Sequence, residues 1–419
     1  MARYLFTTWE GGGHVQPLLL AARDLQDRGH EVLILSDACN DTDAASLDLA
    51  FRFWTTAPSQ TGKRREDDRL KDHEADNPLE VIQRLIDRIM AGPALAYAQD
   101  TLAAIDAFKP DAIVCQELLL GVMLAAEASD LPLALFAANI WSLPTLAGAP
   151  PFGAGMPPAT SDEERTMHAM VTQMSRGLFQ IGLPALNMAR TALGLAPLND
   201  LFDQLDTARL ILIATSRAFD FAPDPLPAPF AYAGPYLADP AWVEPAAIPA
   251  GDAPLVLVSF SSLYQAQEAA LSNVIAALGR LPVRGLVTTG PTLDPTEFSS
   301  PSNVIVVRSA PHAALLDETA VFVTHAGHGS TLRPLMAGVP LLCMPMGRDQ
   351  NDNTTRVVAR DAGLRLSPDA SVEAIMAAIT TLLEDVRYRQ AAATLGAAIR
   401  TDFEDRSAAT LLEGLLAPA

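Results

Sequence analysis

The sequence predicts an α/β protein built as two domains in tandem. Three observations carry this. The chain opens on strand, glycine turn, helix and strand; a second such series begins at Leu255; and Phe221–Pro254 between them is rich in Pro and Ala, the composition of a stiff linker. A length of 419 residues fits more than one domain at about 100–200 residues each.

Tyr4–Thr8 is an apolar strand and Gly11–Gly13 a turn. Val15–Arg28 then carries apolar residues at helical spacing as far as Gly29, a C-cap. Glu31–Ser36 (EVLILS) is the next strand, and this βαβ unit predicts a parallel sheet that Ala112–Cys115 and Leu133–Phe136 continue. Gln60–Glu80 is dense in charge and reads as a solvated loop. Ala147–Ala159 is rich in Gly, Pro and Ala. An apolar, Met-bearing helical stretch follows from Thr166 to Leu195, either helix packing or an adaptable wall for an apolar ligand. The second half supplies strands at Leu255–Ser259, Gly285–Thr289, Val304–Val307, Val321–Thr324 and Leu341–Met344. Its helices are expected over Glu268–Leu281, Thr331–Ala337 and, in stretches, Val372–Leu416.

Composition excludes several classes. Hydrophobic residues make up 49% and charged residues 19%, enough apolar material for large cores, which excludes disorder as the dominant state. A formal net charge of -20 repels phosphate backbones and anionic lipid, so no nucleic-acid partner is expected. Cys39, Cys115 and Cys343 are far apart and match no disulfide framework or metal-binding spacing. The N-terminus lacks the apolar run of a signal peptide, and apolar runs elsewhere break before about 18 residues. No integral membrane segment and a cytoplasmic location are therefore expected.

The richest chemistry lies in Val321–Val357, which reads strand, glycine-bearing turn, helix. His325, Gly327, Gly329 and Ser330 fall where the strand ends and the helix begins. Unpaired N–H groups and the positive end of the helix dipole meet there, which favours an anion. Ser330 and Thr331 add hydroxyls and His325 a ring N–H. An ordinary βα turn with Ser as N-cap is the plainer alternative. Further on, Asp349 and Gln350 follow the end of another strand, an acid and an amide suited to a polyol. His14 ends the first strand where a helix begins, so its imidazole is expected to be held neutral and able to take a proton.

The order GGGHVQP, LVSFSS (Leu257–Ser262), LVTTG (Leu286–Gly290), SAPHAALL (Ser309–Leu316) and HAGHGST…GVP…P…DQ…N resembles the family 1 nucleotide-sugar glycosyltransferases over most of the chain. The resemblance implies the GT-B fold, two Rossmann-like domains facing a cleft. An acceptor-binding domain would span residues 1–235, a linker 236–253 and a nucleotide-sugar-binding domain 254–399, with a C-terminal helix in about 400–419 packing back on the first domain. It implies an inverting hexosyl transfer from a UDP- or dTDP-sugar co-substrate to a hydroxyl of a hydrophobic small-molecule acceptor. No cofactor and no metal are expected.

By the same resemblance, His325, Gly327, Gly329, Ser330, Thr331 and Ser262 contact the donor diphosphate, Ala310 and His312 read the base through their backbone, Asp349 and Gln350 hold sugar hydroxyls, and His14 is the general base. Asp349-x-x-Asp352 is expected to be sugar contact plus surface. Three positions depart from the family's pattern. Gln116 stands where many members place the Asp that partners the base, leaving Glu117 as a substitute. Ser309 replaces the base-stacking Trp, and Arg333 replaces the Glu that grips the ribose. Arg333 therefore opens the donor choice to thymidine diphosphate sugars. Trp141 and the Thr166–Leu195 stretch are the candidate acceptor contacts. Rival readings are a dinucleotide-dependent oxidoreductase, for which Gly11, Gly13 and Gln16 break G-x-G-x-x-G; a sugar-nucleotide-binding protein that lost catalysis; and a non-hydrolysing sugar-nucleotide epimerase on the same fold, for which too few acidic groups can be placed. Oligomeric state is not readable.

Overall fold

The computed structural model describes residues 1–239, 243–405 and 407–416. Of the expected linker, 240–242 lie outside the described residues, as do 406 and 417–419 of the expected C-terminal segment.

Two parallel sheets form the protein. The first runs β3(Ala50–Phe53)-β2(Glu31–Ser36)-β1(Arg3–Thr7)-β4(Ala112–Gln116)-β5(Leu133–Ala137)-β6(Leu210–Ile213)-β7(Phe230–Tyr232). The second runs β10(Val304–Val307)-β9(Arg284–Thr288)-β8(Leu255–Ser259)-β11(Thr319–Thr324)-β12(Leu341–Cys343)-β13(Gly363–Arg365). In both, the order reverses next to the first strand of the sheet, which opens a crevice at the carboxyl ends of the strands. Tandem α/β architecture and the expected strands are thus present. The strands the sequence reading passed over are β3, β6, β7 and β13. β3, β7 and β13 are sheet edges of only three or four residues, exposed or partly covered, too short for a strand-length apolar run to mark them. β7 also lies inside the Pro- and Ala-rich stretch read as linker, whereas the buried run LILI of β6 did carry a signal.

Helix Val15–Asp27 buries Val15, Leu18, Leu19, Ala22 and Leu25 against β1 and β2, and Gly29 closes it at φ +89°, a conformation open to glycine. The helix Ala408–Leu415 returns from the second half to the same face. Its Leu412 is fully buried and accepts from the Tyr4 hydroxyl (3.2 Å), and Arg28 pairs with Glu413 (3.1 Å). Burial of a leucine such as Leu412 is worth about 2 kcal/mol, more than the exposed ion pair. No described helix is long and apolar enough to cross a membrane.

The charged stretch Gln60–Glu80 is not a solvated loop, which corrects the sequence reading. Gln60, Asp68 and Leu70 are buried. Lys63 reaches Asp43 (2.5 Å) and Glu10 (3.3 Å) in the first half, while Asp72 pairs with Arg348 (2.5 Å) and Arg65 lies over the Tyr264 ring (3.8 Å) in the second. The segment is a strap across the two halves. Lys63 and Asp72 are spent on ion pairs with distant partners, which the sequence by itself could not show.

Candidate active site

The carboxyl ends of both sheets open onto one cavity of 1240 Å³, lined from the first half by His14, Glu117 and Phe179 and from the second by Ser262, His325 and Asp349 among others.

The first strand delivers the Gly11–His14 turn. Glu10 is buried and its Oε1 accepts from Gly12 N–H (2.8 Å). Asp37 Oδ2 accepts from Glu10 N–H (2.6 Å), so the turn is pinned by two buried carboxylates. Gly12 sits at φ +75°, and a Cβ there would lie 2.9 Å from Leu263 of the other half. His14 follows, half-buried, with Nδ1 shut from solvent beside Gly11 and without a hydrogen-bond partner. Burial, then Arg348 and His328, lower its pKa to about 4, so the ring is neutral near pH 7.

Neither proposed companion of His14 hydrogen-bonds to it. Gln116 Oε1 accepts from the Trp9 indole (3.1 Å) and from Leu118 N–H (3.0 Å), and its side chain is not part of the cavity wall. Glu117 does line the cavity. Its Oε1 accepts from Ser142 (3.2 Å), its Oε2 is buried without a partner, and burial pushes its pKa up to about 7.

On the other side, β11 ends at Thr324 and His325 follows it. Ala326 takes φ +66°, costly for a residue with a Cβ, and is held by Thr324 Oγ1 on its N–H (3.0 Å) and by Asn353 on its carbonyl (3.0 Å). At Gly327 a Cβ would lie 2.6 Å from His325 Nε2, so a larger residue there would have to displace the imidazole. His325, pushed by burial to a pKa of about 4, is neutral. Gly329 and Ser330 face the cavity at the start of helix His328–Met336, whose first intrahelical bond is Thr331 N–H to Gly327 O (2.9 Å). Ser330 Oγ meanwhile bonds Thr324 (2.8 Å) and the Gly327 carbonyl (3.0 Å).

Several expected contacts are displaced. Thr331 is fully buried and absent from the cavity wall, so its hydroxyl faces the interior rather than a phosphate. Trp141 packs edge-on against Phe230 and bonds Thr145 (2.9 Å), outside the main cavity, so it is core rather than acceptor contact. Asp352 is buried, not surface, and accepts from Gly153 and Gly155 N–H (2.7 and 3.0 Å). Arg333 lines the cavity, but its guanidinium is committed to Asp239 Oδ1 (2.5 Å) and the Ala238 carbonyl (2.6 Å). Gln350 Oε1 accepts from Met346 N–H (2.7 Å) while its Nε2 donates to Gln265 (2.8 Å), and Asp349, its pKa raised by burial, accepts from Asn353 (2.8 Å). Ser262, Ala310 and His312 all border the cavity, with His312 Nε2 bonded to Thr288 (3.2 Å).

The sequence reading missed Glu10, Lys63, Asp72, Asp239 and Arg348. Lys63 carried one signal, being one of very few lysines; the others are charges whose partners lie far along the chain.

An apolar wall completes the cavity. Val171, Met174, Leu178 and Phe179 of helix Asp162–Phe179 face Val81, Ile82 and Leu85 of helix Pro78–Leu85. Ser161 and Glu164 cap the former with a reciprocal box.

The chain is 27% identical to the 4'-demethylrebeccamycin synthase of Lentzea aerocolonigenes, over 99% of this chain and 100% of that one. Its fold is shared with a glycosyltransferase of kitacinnamycin (TM-score 0.77, 20% identity, 99% of both chains). It is shared also with a spinosyn rhamnosyltransferase solved with thymidine diphosphate (TM-score 0.70, 19% identity, 99% of this chain and 100% of that one). Residues 176–403, more than half of the chain, match the family described as UDP-glucoronosyl and UDP-glucosyl transferase; the protein belongs to that family and is a glycosyltransferase of the GT-B fold.

Proposed function

We propose that this glycosyltransferase transfers a hexose, with inversion, from a UDP- or dTDP-sugar to a hydroxyl of a hydrophobic natural-product acceptor, with His14 as general base. The observation that carries the reading is that a neutral imidazole from one sheet and a helix-start anion cradle from the other share one cavity with an apolar wall. With Nδ1 buried against Gly11, Nε2 takes the acceptor proton as the acceptor oxygen attacks the anomeric carbon. The bond to the diphosphate breaks and its electron pair leaves with the phosphate, stabilised by N–H groups at the start of helix His328–Met336. Glu117, lining the same cavity with one oxygen unpartnered, is the group available to balance the imidazolium; Gln116 is committed to Trp9.

Donor choice stays with both diphosphates. Arg333 removes a carboxylate from the ribose side, but its partner Asp239 brings one back to the same wall. A thymidine diphosphate complex of a structural relative supports the deoxy donor, and the kinship with a 4'-demethylrebeccamycin synthase and a spinosyn rhamnosyltransferase supports a natural-product acceptor.

The test is a mass-spectrometric screen of UDP- and dTDP-hexoses against aromatic, polyketide and lipid alcohols. A product heavier by one hexosyl unit is expected. Transfer only to water, or a nicotinamide-dependent redox change instead, overturns the reading. Within that assay, Met174→Ala is expected to raise the acceptor KM about tenfold, the size of one lost apolar contact of about 1.4 kcal/mol, while Trp141→Phe leaves KM unchanged. The opposite ranking would move the acceptor to the other side of the loop 142–152.

A further inference from the structure

The strap holds a cluster the transfer chemistry does not use. Asp68, Asp72 and His73 each place a ligand atom within 4.8 Å of those of the other two. Each carboxylate has one oxygen anchored and one left over. Asp68 Oδ1 accepts from Leu70 N–H (2.9 Å), and Asp72 Oδ2 accepts from Arg348 Nε (2.5 Å). Asp68 Oδ2 and Asp72 Oδ1 are buried with no hydrogen-bond partner. The His73 side chain is only 4% exposed, and neither of its ring nitrogens is hydrogen-bonded; the nearest carboxylate outside the cluster, Glu74, stands 3.8 Å from Nε2. The ring is positioned edge-on to Tyr264 of the second half, centroids 4.8 Å apart.

Two carboxylate oxygens and an imidazole, withdrawn from water and mutually unpaired, are the donor set of a cation rather than of a hydrogen-bond network. Arg348 offsets one of the two negative charges and leaves one. The mixture of one nitrogen and two oxygens selects the metal: calcium and magnesium take oxygen ligands, whereas zinc accepts imidazole and carboxylate together at about 2.0–2.2 Å. The anchored oxygens supply the outer contacts that orient such ligands. Asp68 and His73 are not part of the cavity wall, whereas Asp72 borders it, so the ion would sit at the edge of the cavity on the strap.

We propose that Asp68, Asp72 and His73 bind one zinc ion, which fixes the strap against the Arg348 loop that carries Asp349. Its test reads metal uptake and cleavage, not transfer, so it stands or falls separately from the donor, the acceptor and the base assigned above.

Chelator-stripped full-length protein titrated with zinc chloride is expected to take up one equivalent with micromolar or tighter affinity by calorimetry, unaffected by millimolar magnesium. Asp68→Asn and His73→Ala, each checked for native circular dichroism, should weaken uptake at least tenfold, and Glu74→Gln should leave it unchanged. In the wild type, zinc should slow tryptic cleavage after Arg64 and Arg65 at least tenfold, a readout that depends on no variant and no activity. Absence of stoichiometric uptake, equal affinity in the variants, or a cleavage rate indifferent to zinc overturns the site.

Discussion

His14→Ala lowers the transfer rate by about 10²–10⁴-fold and leaves nucleoside diphosphate affinity unchanged. The separation of effects follows from position. The imidazole is on the turn after β1, while the proposed anion cradle is built by β11 and the helix that follows it, so removing the ring leaves that cradle intact. The pH profile gives an independent check. A base must be unprotonated to act, and burial together with Arg348 and His328 lowers the His14 pKa from 6.5 to about 4. The rate therefore holds as pH falls through 6.5 and declines only on approach to about 4, with any limb near 7 belonging to Glu117. Single-turnover rates over pH 4–8, beside calorimetry of UDP and dTDP binding, decide it. A His14→Ala enzyme with wild-type rate would end the base assignment, and loss of diphosphate binding would make the ring a structural prop.

Asp220→Ala is expected to destabilise the protein by about 3–5 kcal/mol. Asp220 follows β6 in the first sheet, and Arg356 stands on the helix Gln350–Val358 of the second half. Both side chains are almost wholly buried, at 3% and 5% exposure, and Oδ1 accepts from Arg356 Nε and Nη2 (3.1 and 2.7 Å). Tyr232 donates to Oδ2 (3.2 Å) and Arg360 to the Asp220 carbonyl (3.0 Å). Deleting the carboxylate leaves a buried guanidinium without its hydrogen-bonded counter-charge, beside the Phe221 ring (4.7 Å) and the Asp352 carbonyl (3.1 Å). That is the case in which a buried pair matters most, since the cost is the stranded charge rather than the lost attraction. Asp220→Asn keeps an acceptor and should lose less. Denaturant unfolding of both variants checks the ranking. The helix concerned also bears Gln350 and Asn353, so the alanine variant should bind donor more weakly as well; equal stability of both with the wild type would show the pair to be dispensable.

The legible part of the protein was what local chemistry dictates. Apolar runs marked the inner strands, and the run from His325 to Ser330 marked a glycine-bearing turn into a helix start because both are properties of neighbouring residues. The illegible part was pairing at a distance. Thr331 read as a phosphate contact from the resemblance and its place at the turn, yet the helix turns its hydroxyl inward. Arg333 read as a reversed charge until Asp239 appeared beside it, and Gln116 read as a partner for His14 until Trp9 claimed its oxygen.

By itself the amino-acid order determined two parallel α/β units, the glycine turns at their strand ends and the residue types available there, because strand and helix periodicity and backbone freedom are set within a few residues. Only the tertiary structure decided that the two turns share one cavity, that a charged strap crosses it, and which side chains are already occupied. Those outcomes depend on ion pairs and buried hydrogen bonds between residues up to hundreds of positions apart, such as Asp72 with Arg348.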